Sequence, residues 1–176
     1  MNDTVHFEKT LSSETLFEGR VITLTKDTAL LENGKTATRE VVHHHGGACI
    51  LPYFADGTIC MVRQFRYAVG QHLWEIPAGK REKGENPFVT AQRELNEEVG
   101  AAAARWTELG SIIASPGCYA EVLYLYMAEG LTFSRQHLDE DEFLEVRFFP
   151  FAEAVEKCMS GEIRDGKTVT AVLKAR

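Results

Sequence analysis

Three glutamates lie close together in a segment whose pattern predicts a helix. Glu94, Glu97 and Glu98 are three and four positions apart, so a helix brings their side chains together. Carboxylates crowded in this way repel each other at neutral pH, and a bound cation relieves that repulsion. Oxygen ligands suit a hard divalent ion such as Mg²⁺. The spacing alone favours the ordinary interpretation, a solvated acidic helix face, and a metal site is the alternative.

The helix that carries these glutamates has recognisable ends in the sequence. Asn86 suits the N-cap position and Pro87 the first helical position. Gly100 suits a left-handed residue at the C-terminal end. Apolar residues recur at helical spacing on a separate face: Phe88, Ala91, Leu95 and Val99. We expect one amphipathic helix that packs by this face and presents the glutamates elsewhere.

The predicted helix is the second half of a longer pattern that runs from Gly79 to Ala101. Five residues separate Gly79 from Glu85, and seven more lead to Arg93-Glu94-Leu95-Asn96-Glu97-Glu98-Val99-Gly100-Ala101. The segment resembles the Nudix box and fills its fixed positions without a gap, although Ala101 is small for the last apolar position. The resemblance implies Mg²⁺-assisted hydrolysis of a nucleoside diphosphate linked to another group.

Roles for the box residues follow from this resemblance. It implies that Glu94 and Glu98 bind metal together with the backbone carbonyl of Ala78. Glu97 is implied as a catalytic residue that binds metal directly or through water, and Arg93 as the salt-bridge partner that orients the glutamates. The expected cofactor is Mg²⁺, with Mn²⁺ as an alternative, at two or three ions per site.

Segments outside the box resemble one branch of the family, the ADP-ribose pyrophosphatases. They are Gln64-Phe65-Arg66, Trp74-Glu75-Ile76-Pro77-Ala78-Gly79, Ser115-Pro116-Gly117, Glu121 and Asp139-Glu140-Asp141-Glu142. Together they cover nearly the whole chain, from about Phe17 to Lys174. The resemblance implies that the substrate is ADP-ribose and that the products are AMP and ribose 5-phosphate.

The acidic loop 139–142 is the second place where carboxylates concentrate in the sequence. A solvated acidic turn is the ordinary interpretation of such a loop. By position, the resemblance instead implies that Glu140 is the general base that deprotonates water and that Glu142 is a further metal ligand.

The same resemblance implies a contact for each part of the substrate. It places Arg66 on the diphosphate, where a planar guanidinium pairs well with phosphate oxygens. It places Glu121 near the terminal ribose, and Arg39 and Glu40 at the adenine. Ordinary surface charges are the alternative for each residue. Relatives often carry Glu-His-Pro-Gly where this chain has His43-His44-His45-Gly46-Gly47, which leaves the adenine contacts open.

Residues 1–43 predict a small antiparallel sheet that precedes the catalytic domain. Arg20–Thr25 and Asp27–Leu31 predict two strands, and Thr36–His43 a third after an Asn-Gly turn. So small a sheet is not stable by itself. It must pack on the main domain or on a second subunit. The resemblance implies the second subunit, so we expect residues 1–43 to serve dimerisation and the base pocket of a homodimer.

Residues 44–176 predict the Nudix catalytic domain. Mixed strands with helices among and after them indicate an α/β/α sandwich with a mixed sheet, in the mixed α+β class. The run His43-His44-His45 predicts either a transition-metal site or, as we prefer, the end of a strand.

Composition narrows the class of protein and its partners. The chain has 176 residues, 44% hydrophobic and 26% charged, with a net charge of −7. That charge disfavours nucleic acid but allows a small phosphorylated ligand, because metal ions supply positive charge. We expect a small-molecule nucleoside diphosphate substrate and no membrane partner. With no apolar run of ~20 residues and no signal-peptide pattern, we also expect a cytoplasmic protein.

Three functions remain open at this point. The first is hydrolysis of ADP-ribose, and the second is hydrolysis of another nucleotide sugar, such as GDP-mannose. The third belongs to a different class, a nucleotide-sensing module that has lost catalysis. Such modules normally lose box glutamates, and this chain keeps them.

Overall fold

The structure is a computed structural model that describes residues 6–138 and 143–176. The chain forms two compact units. The first contains the N-terminal residues up to His45 and the segment Ser115–Glu121, and the second contains Gly46–Ala114 and Val122–Arg176.

The first unit is built on an antiparallel sheet of three strands. The strands are β1 (Lys9–Glu18), β2 (Thr23–Leu30) and β3 (Thr36–His43). Strand β2 pairs with both neighbours, so that Arg39 lies opposite Asp27 and Glu40 opposite Lys26. The N–H of Val42 donates to the carbonyl of Cys118 at 2.8 Å, which joins the Ser115–Glu121 segment to β3.

Only the third strand of this sheet has the bounds that the sequence predicts. The predicted break between Arg20–Thr25 and Asp27–Leu31 is wrong, because one strand runs from Thr23 to Leu30. Strand β1 is absent from the sequence prediction. Each of its residues is exposed, so its sequence carries no alternation of buried and exposed positions.

The second unit contains the helices and the remaining strands, except for the last residue of β8 and the first three of β9, which belong to the first unit. These helices and strands are β4 (Gly47–Tyr53), β5 (Thr58–Arg66), β6 (Gln71–Glu75), β7 (Ala78–Lys80), α1 (Pro87–Val99), β8 (Ala101–Ser115), β9 (Tyr119–Phe133), β10 (Leu144–Pro150), α2 (Phe151–Ser160) and α3 (Gly166–Lys174). Strand β4 runs parallel to β9 and antiparallel to β5 and β7, while β5 also pairs with β6 and β10. The sheet is therefore mixed, as the sequence predicts.

Side chains alternate across this sheet and build a separate core on each face. Along β4, Ala48 and Ile50 face α1, whereas Cys49 and Leu51 face the side that carries α2 and α3. Since successive residues of a strand point to opposite faces, one buried strand serves both cores. The predicted α/β/α sandwich of the mixed α+β class is confirmed.

Helix α1 begins and ends where its capping residues require. The side chain of Asn86 accepts a hydrogen bond from the N–H of Phe88, and Pro87 occupies the first turn. Gly100 ends the helix in the left-handed conformation at φ 66°. A Cβ at Gly100 would also lie within 3 Å of backbone atoms of Ser134 and Gln136. This position therefore requires glycine for its conformation and for the close approach of a second segment.

Two further features of the described residues are the length of the helices and the exposure of the cysteines. Among the described helices, none is both long and apolar enough to cross a membrane. Cys49, Cys60 and Cys158 are buried free thiols, while Cys118 is exposed.

Candidate catalytic site

The carboxylates of Glu94 and Glu98 meet at the peptide backbone of Ala78 and Gly79. Glu98 Oε2 accepts a hydrogen bond from the N–H of Ala78 at 3.0 Å. The Glu94 carboxylate lies over Gly79, so closely that a Cβ at Gly79 would occupy the same space. Both glutamates are buried, with 6% and 3% of their surface exposed. Packing of α1 against β4 and β7 thus places two carboxylates beside one peptide group.

Arg93 ties the box glutamates to each other and to β7. Its Nη1 donates to Glu94 at 2.7 Å and to Glu97 at 2.8 Å, and its Nη2 donates to the carbonyl of Lys80 at 3.1 Å. Burial acts to lower the pKa of Arg93, but the charge of Glu94 and hydrogen bonds to Glu85 and Glu97 outweigh it and raise that pKa. A permanent positive charge therefore balances part of the carboxylate cluster.

Glu85 holds the loop that precedes α1. Its Oε2 accepts hydrogen bonds from the N–H of Glu82 at 3.0 Å and the hydroxyl of Thr90 at 2.8 Å. The Glu82 N–H is the main cause that lowers the pKa of Glu85, with Thr90 and Arg93 acting in the same direction. Glu85 therefore has a clear structural use within the box.

The residues beside Ala78 and Gly79 fit a hard divalent ion in kind but do not complete its coordination. Glu94 and Glu98 offer oxygen donors only, in a buried place where two negative charges need a cation. Over residues 6–138 and 143–176, no three His, Cys, Asp or Glu side chains converge as a metal-binding cluster. An ion here needs further oxygen ligands, and a metal-binding role for Ala78, Glu94 and Glu98 stays a prediction.

Glu140 and Glu142, the predicted base and additional ligand, lie outside the described residues. The segment that leads to them is hydrogen-bonded to the end of α1. The N–H of His137 donates to the carbonyl of Glu97 at 3.1 Å, and the amide of Gln136 donates to the carbonyl of Glu98 at 2.6 Å. These contacts also satisfy carbonyls that a helix end leaves without partners.

Arg66 is held by the carboxylate of Glu75. This residue belongs to the segment Trp74–Gly79, but the family resemblance implies no role for it. Arg66 Nε and Nη2 donate to the two oxygens of Glu75 at 2.7 and 2.6 Å. Hydrogen bonding to Glu75 is the main cause that raises the pKa of Arg66, and the charge of Glu98 contributes in the same direction. The guanidinium is thus near enough to the candidate metal carboxylates for the charges to interact.

Glu98 also has a neutral neighbour in the core. Burial, together with the charge of Glu98, raises the pKa of the Cys60 thiol to about 12. Cys60 therefore stays protonated near neutral pH and adds no further negative charge beside the carboxylates.

The other predicted substrate residues belong to the first unit. Arg39 forms two hydrogen bonds to Glu8, at 2.8 and 2.5 Å, and the neighbouring Glu40 is exposed. Glu121 pairs with Nδ1 of His44 at 3.2 Å, and both side chains are largely buried. The predicted roles of Arg39, Glu40 and Glu121 stay predictions, while the contacts show how the side chains of Arg39 and Glu121 are held.

The three consecutive histidines have separate surroundings. His43 Nε2 lies 3.1 Å from the hydroxyl of Thr25, and His44 pairs with Glu121. Strand β3 ends at His43, so the first histidine of the run lies at the end of a strand, as we prefer.

Comparison with known proteins identifies the family. Residues 43–171 match the NUDIX domain. The chain belongs to the Nudix family. Residues 8–42 of this Nudix hydrolase match a second model, the nucleoside diphosphate sugar hydrolase N-terminal domain.

Two curated relatives of this Nudix hydrolase are similar over most of their length. The chain is 41% identical to an ADP-ribose pyrophosphatase of Bacillus subtilis (strain 168) and 42% identical to a methanol dehydrogenase activator of Bacillus methanolicus. Each alignment covers 94% of this chain and 90% of the relative. The fold resembles that of an ADP compounds hydrolase, with a TM-score of 0.83, 22% identity and coverage of 96% and 92% of the two chains.

The contact between Gly79 and Glu94 predicts a specific loss of activity. Gly79→Ala places a methyl group where the Glu94 carboxylate lies, so the carboxylate must move away from the Ala78–Gly79 peptide. We expect kcat to fall about 100-fold, the order of effect of a misplaced catalytic group. The melting temperature should change little, because the group that moves is a side chain.

Gly166→Ala is the matched control, since an added Cβ at Gly166 meets no atom within 4 Å. Steady-state kinetics and thermal unfolding of both variants measure the effect. Wild-type kcat in a folded Gly79→Ala protein would show that the position of Glu94 is unimportant.

Proposed function

We propose that this Nudix hydrolase cleaves the diphosphate of ADP-ribose to give AMP and ribose 5-phosphate. The observation that carries the proposal is the meeting of Glu94 and Glu98 at the Ala78–Gly79 peptide, where Arg93 donates a hydrogen bond to Glu94. Similarity to the Bacillus subtilis ADP-ribose pyrophosphatase over 94% of the chain supports the choice of substrate. The match of residues 8–42 supports a nucleotide sugar.

Hydrolysis of a diphosphate requires that a water attack phosphorus through a shell of negative oxygens. A divalent ion, which we infer to be Mg²⁺ with Mn²⁺ as a substitute and two or three ions per site, supplies positive charge at those oxygens. Glu94, Glu98 and the Ala78 carbonyl would hold it, with Glu142 as a further ligand. Arg93 keeps the glutamates in place through its hydrogen bonds to Glu94 and Glu97.

The remaining steps fall to side chains that bind substrate or move a proton. Arg66 binds diphosphate oxygens through the guanidinium edge that Glu75 does not use. Glu140 accepts the proton of the attacking water, and Glu97 lies next to the metal ligands. The bond to the leaving phosphate oxygen then breaks, which yields two monophosphates.

Recognition of the two ends of ADP-ribose is assigned to the first unit. We infer that Arg39 and Glu40 contact the adenine and that Glu121 accepts hydrogen bonds from ribose hydroxyls. The contact from His44 Nδ1 at 3.2 Å supports the role of Glu121, because it fixes the position of a largely buried carboxylate. Two hydrogen bonds from Arg39 to Glu8 likewise restrict the guanidinium.

We also infer that the enzyme works in the cytoplasm.

Substrate preference tests this proposal directly. With Mg²⁺, we expect kcat/KM for ADP-ribose to exceed that for GDP-mannose, NADH and ATP by at least about tenfold, or about 1.4 kcal/mol of transition-state binding. Glu121→Ala should raise KM for ADP-ribose more than for ADP-glucose, since the contact is with ribose hydroxyls.

Glu145→Ala, which removes an exposed carboxylate, is the control for that variant. A tenfold preference for GDP-mannose or ATP would contradict ADP-ribose as substrate and would leave the hydrolytic site standing. Tight nucleotide binding without hydrolysis would favour the nucleotide-sensing module.

The acidic loop predicts two different kinetic defects. Glu140→Gln should lower kcat by about 10²-fold or more with little change in the Mg²⁺ concentration required, because it removes a base. Glu142→Gln should raise the Mg²⁺ requirement, as should Glu98→Gln, because each removes a ligand. Titration of activity with Mg²⁺ separates the two defects, and Glu145→Gln serves as control. Wild-type kinetics in both loop variants would direct the search for the base to Glu97 and Glu85.

We propose that the protein is a homodimer in which residues 1–43 provide the interface and part of the base pocket, while residues 44–176 form the catalytic domain. Strand β1 supports this proposal, because its apolar side chains Leu11, Leu16 and Phe17 are about half exposed. A three-stranded sheet cannot bury such residues by itself. A second copy of the sheet would cover them symmetrically.

Light scattering at micromolar concentration should give about twice the mass of the 19.7 kDa chain. Leu11→Glu combined with Phe17→Glu should produce a monomer with raised KM, because charges then replace the apolar contacts. Met159→Glu is the control, since Met159 is exposed on α2. A wild-type monomer with full activity would contradict the homodimer.

A further inference from the structure

A buried network of charged side chains lies behind Arg66 in the second unit. Glu75, on β6, is 1% exposed, and Lys167, on α3, is 9% exposed. Lys167 Nζ donates to Glu75 and also to Asp165 at 2.9 Å. Buried carboxylates and ammonium groups are costly unless they are paired. The burial of these charged side chains therefore indicates a role other than stabilising the fold.

Glu75 uses both of its oxygens to hold Arg66. The two nearly parallel hydrogen bonds, from Nε and Nη2, fix the plane and the direction of the guanidinium. No hydrogen bond from Nη1 to another described residue is present, and 40% of the Arg66 side chain is exposed. One edge of the guanidinium is thus left for a ligand, in a fixed orientation.

Arg66 and Lys167 together keep Glu75 ionised. Burial acts to raise the pKa of Glu75, but hydrogen bonds and charges from Arg66 and Lys167 outweigh burial and lower it. Asp165 provides the fourth charge, so that two cations face two carboxylates. Without Lys167, the network would contain two carboxylates and one guanidinium, and the pair of Glu75 and Arg66 would weaken.

The start of α3 holds Lys167 against β6. Asp165 caps the helix by accepting from the N–H of Thr168 at 3.0 Å. The hydroxyl of Thr168, in turn, accepts a hydrogen bond from the N–H of Ile76 at 2.9 Å. Two adjacent residues of α3 therefore contact Glu75, at the end of β6, and Ile76, which follows it.

We propose that Glu75 and Lys167 are positioning residues that fix the guanidinium of Arg66 for the diphosphate of the substrate. This inference rests on the proposed function, in which Arg66 contacts diphosphate oxygens. A long arginine side chain that is already ordered loses less conformational freedom on binding. The network thus acts on substrate affinity, through Arg66, from the face of the sheet that carries α2 and α3.

A double-mutant cycle in the full-length protein tests the proposal, with KM and kcat for ADP-ribose as readouts. Lys167→Met should raise KM about tenfold with a smaller change in kcat, because it loosens Arg66 without touching the substrate. Arg66→Ala should raise KM by at least as much. In the Arg66→Ala background, Lys167→Met should then change KM less than about twofold, since no guanidinium remains to position.

Lys157→Met is the matched control, because Lys157 pairs with Glu153 and Glu162 on the surface. Lys157→Met should leave KM unchanged in both the wild-type and the Arg66→Ala backgrounds. If Lys167→Met raises KM equally with and without Arg66, then Lys167 has a general structural role and the proposal is overturned.

A second measurement covers the case in which Lys167→Met does not fold. In the wild-type protein, NMR should show the Nη protons of Arg66 as separate, slowly exchanging signals, assigned by their loss in Arg66→Lys. Glu75→Gln should merge these signals and raise KM. Rapidly averaged Arg66 signals in the wild type would overturn the proposal.

The outcomes also separate this inference from the proposed function. Wild-type KM for Arg66→Ala in an enzyme that hydrolyses ADP-ribose would overturn the positioning role and the contact of Arg66 with the diphosphate, and would leave the proposed substrate standing. Failure of the wild type to hydrolyse ADP-ribose would count against the proposed substrate. The cycle would then be measured with the nucleotide sugar that is hydrolysed, since a diphosphate is common to all of them.

Discussion

The close approach of α1 to the Ala78–Gly79 peptide is the constraint on which the candidate catalytic site depends. Several carboxylates on one helix repel each other, and burial makes their charges more costly. The protein offsets this cost with Arg93, with the N–H of Ala78 and with the missing side chain at Gly79. These contacts hold the carboxylates of Glu94 and Glu98 beside the same peptide group of the sheet, although their negative charges repel each other.

The two faces of the sheet divide the tasks of the second unit. The face under α1 carries the box carboxylates, and the face under α2 and α3 carries Lys167, which contacts Glu75. Strand β6 ends at Glu75, and β7 begins at Ala78 only a few residues later. This short stretch of chain therefore links the charged network behind Arg66 to the peptide beside Glu94 and Glu98.

Local signals explain what the sequence predicts well. Asn86, Pro87 and Gly100 fix the ends of α1 through short-range hydrogen bonds and backbone preferences, so the helix is predictable without its surroundings. Strand β1 has no such signal, because pairing with β2 rather than burial defines it. The contact of Lys167 with Glu75 joins residues 92 positions apart, and neither a lysine nor a glutamate in the sequence indicates a buried partner. The family resemblance implies a role for Arg66, whereas only the fold reveals what holds Arg66 in place.

The bonds from the 134–137 segment to the carbonyls at the end of α1 have a consequence for how such a chain can change in evolution. Gln136 and His137 donate hydrogen bonds to carbonyls of the helix, and Gly100 leaves room for the backbone of residues 134–136. The segment 134–137, which leads to the acidic loop, is thus held against the end of the glutamate helix by hydrogen bonds. Neither partner of these bonds lies in the turn between β8 and β9. Insertions or deletions at that turn can therefore accumulate in evolution without removing either partner of this contact.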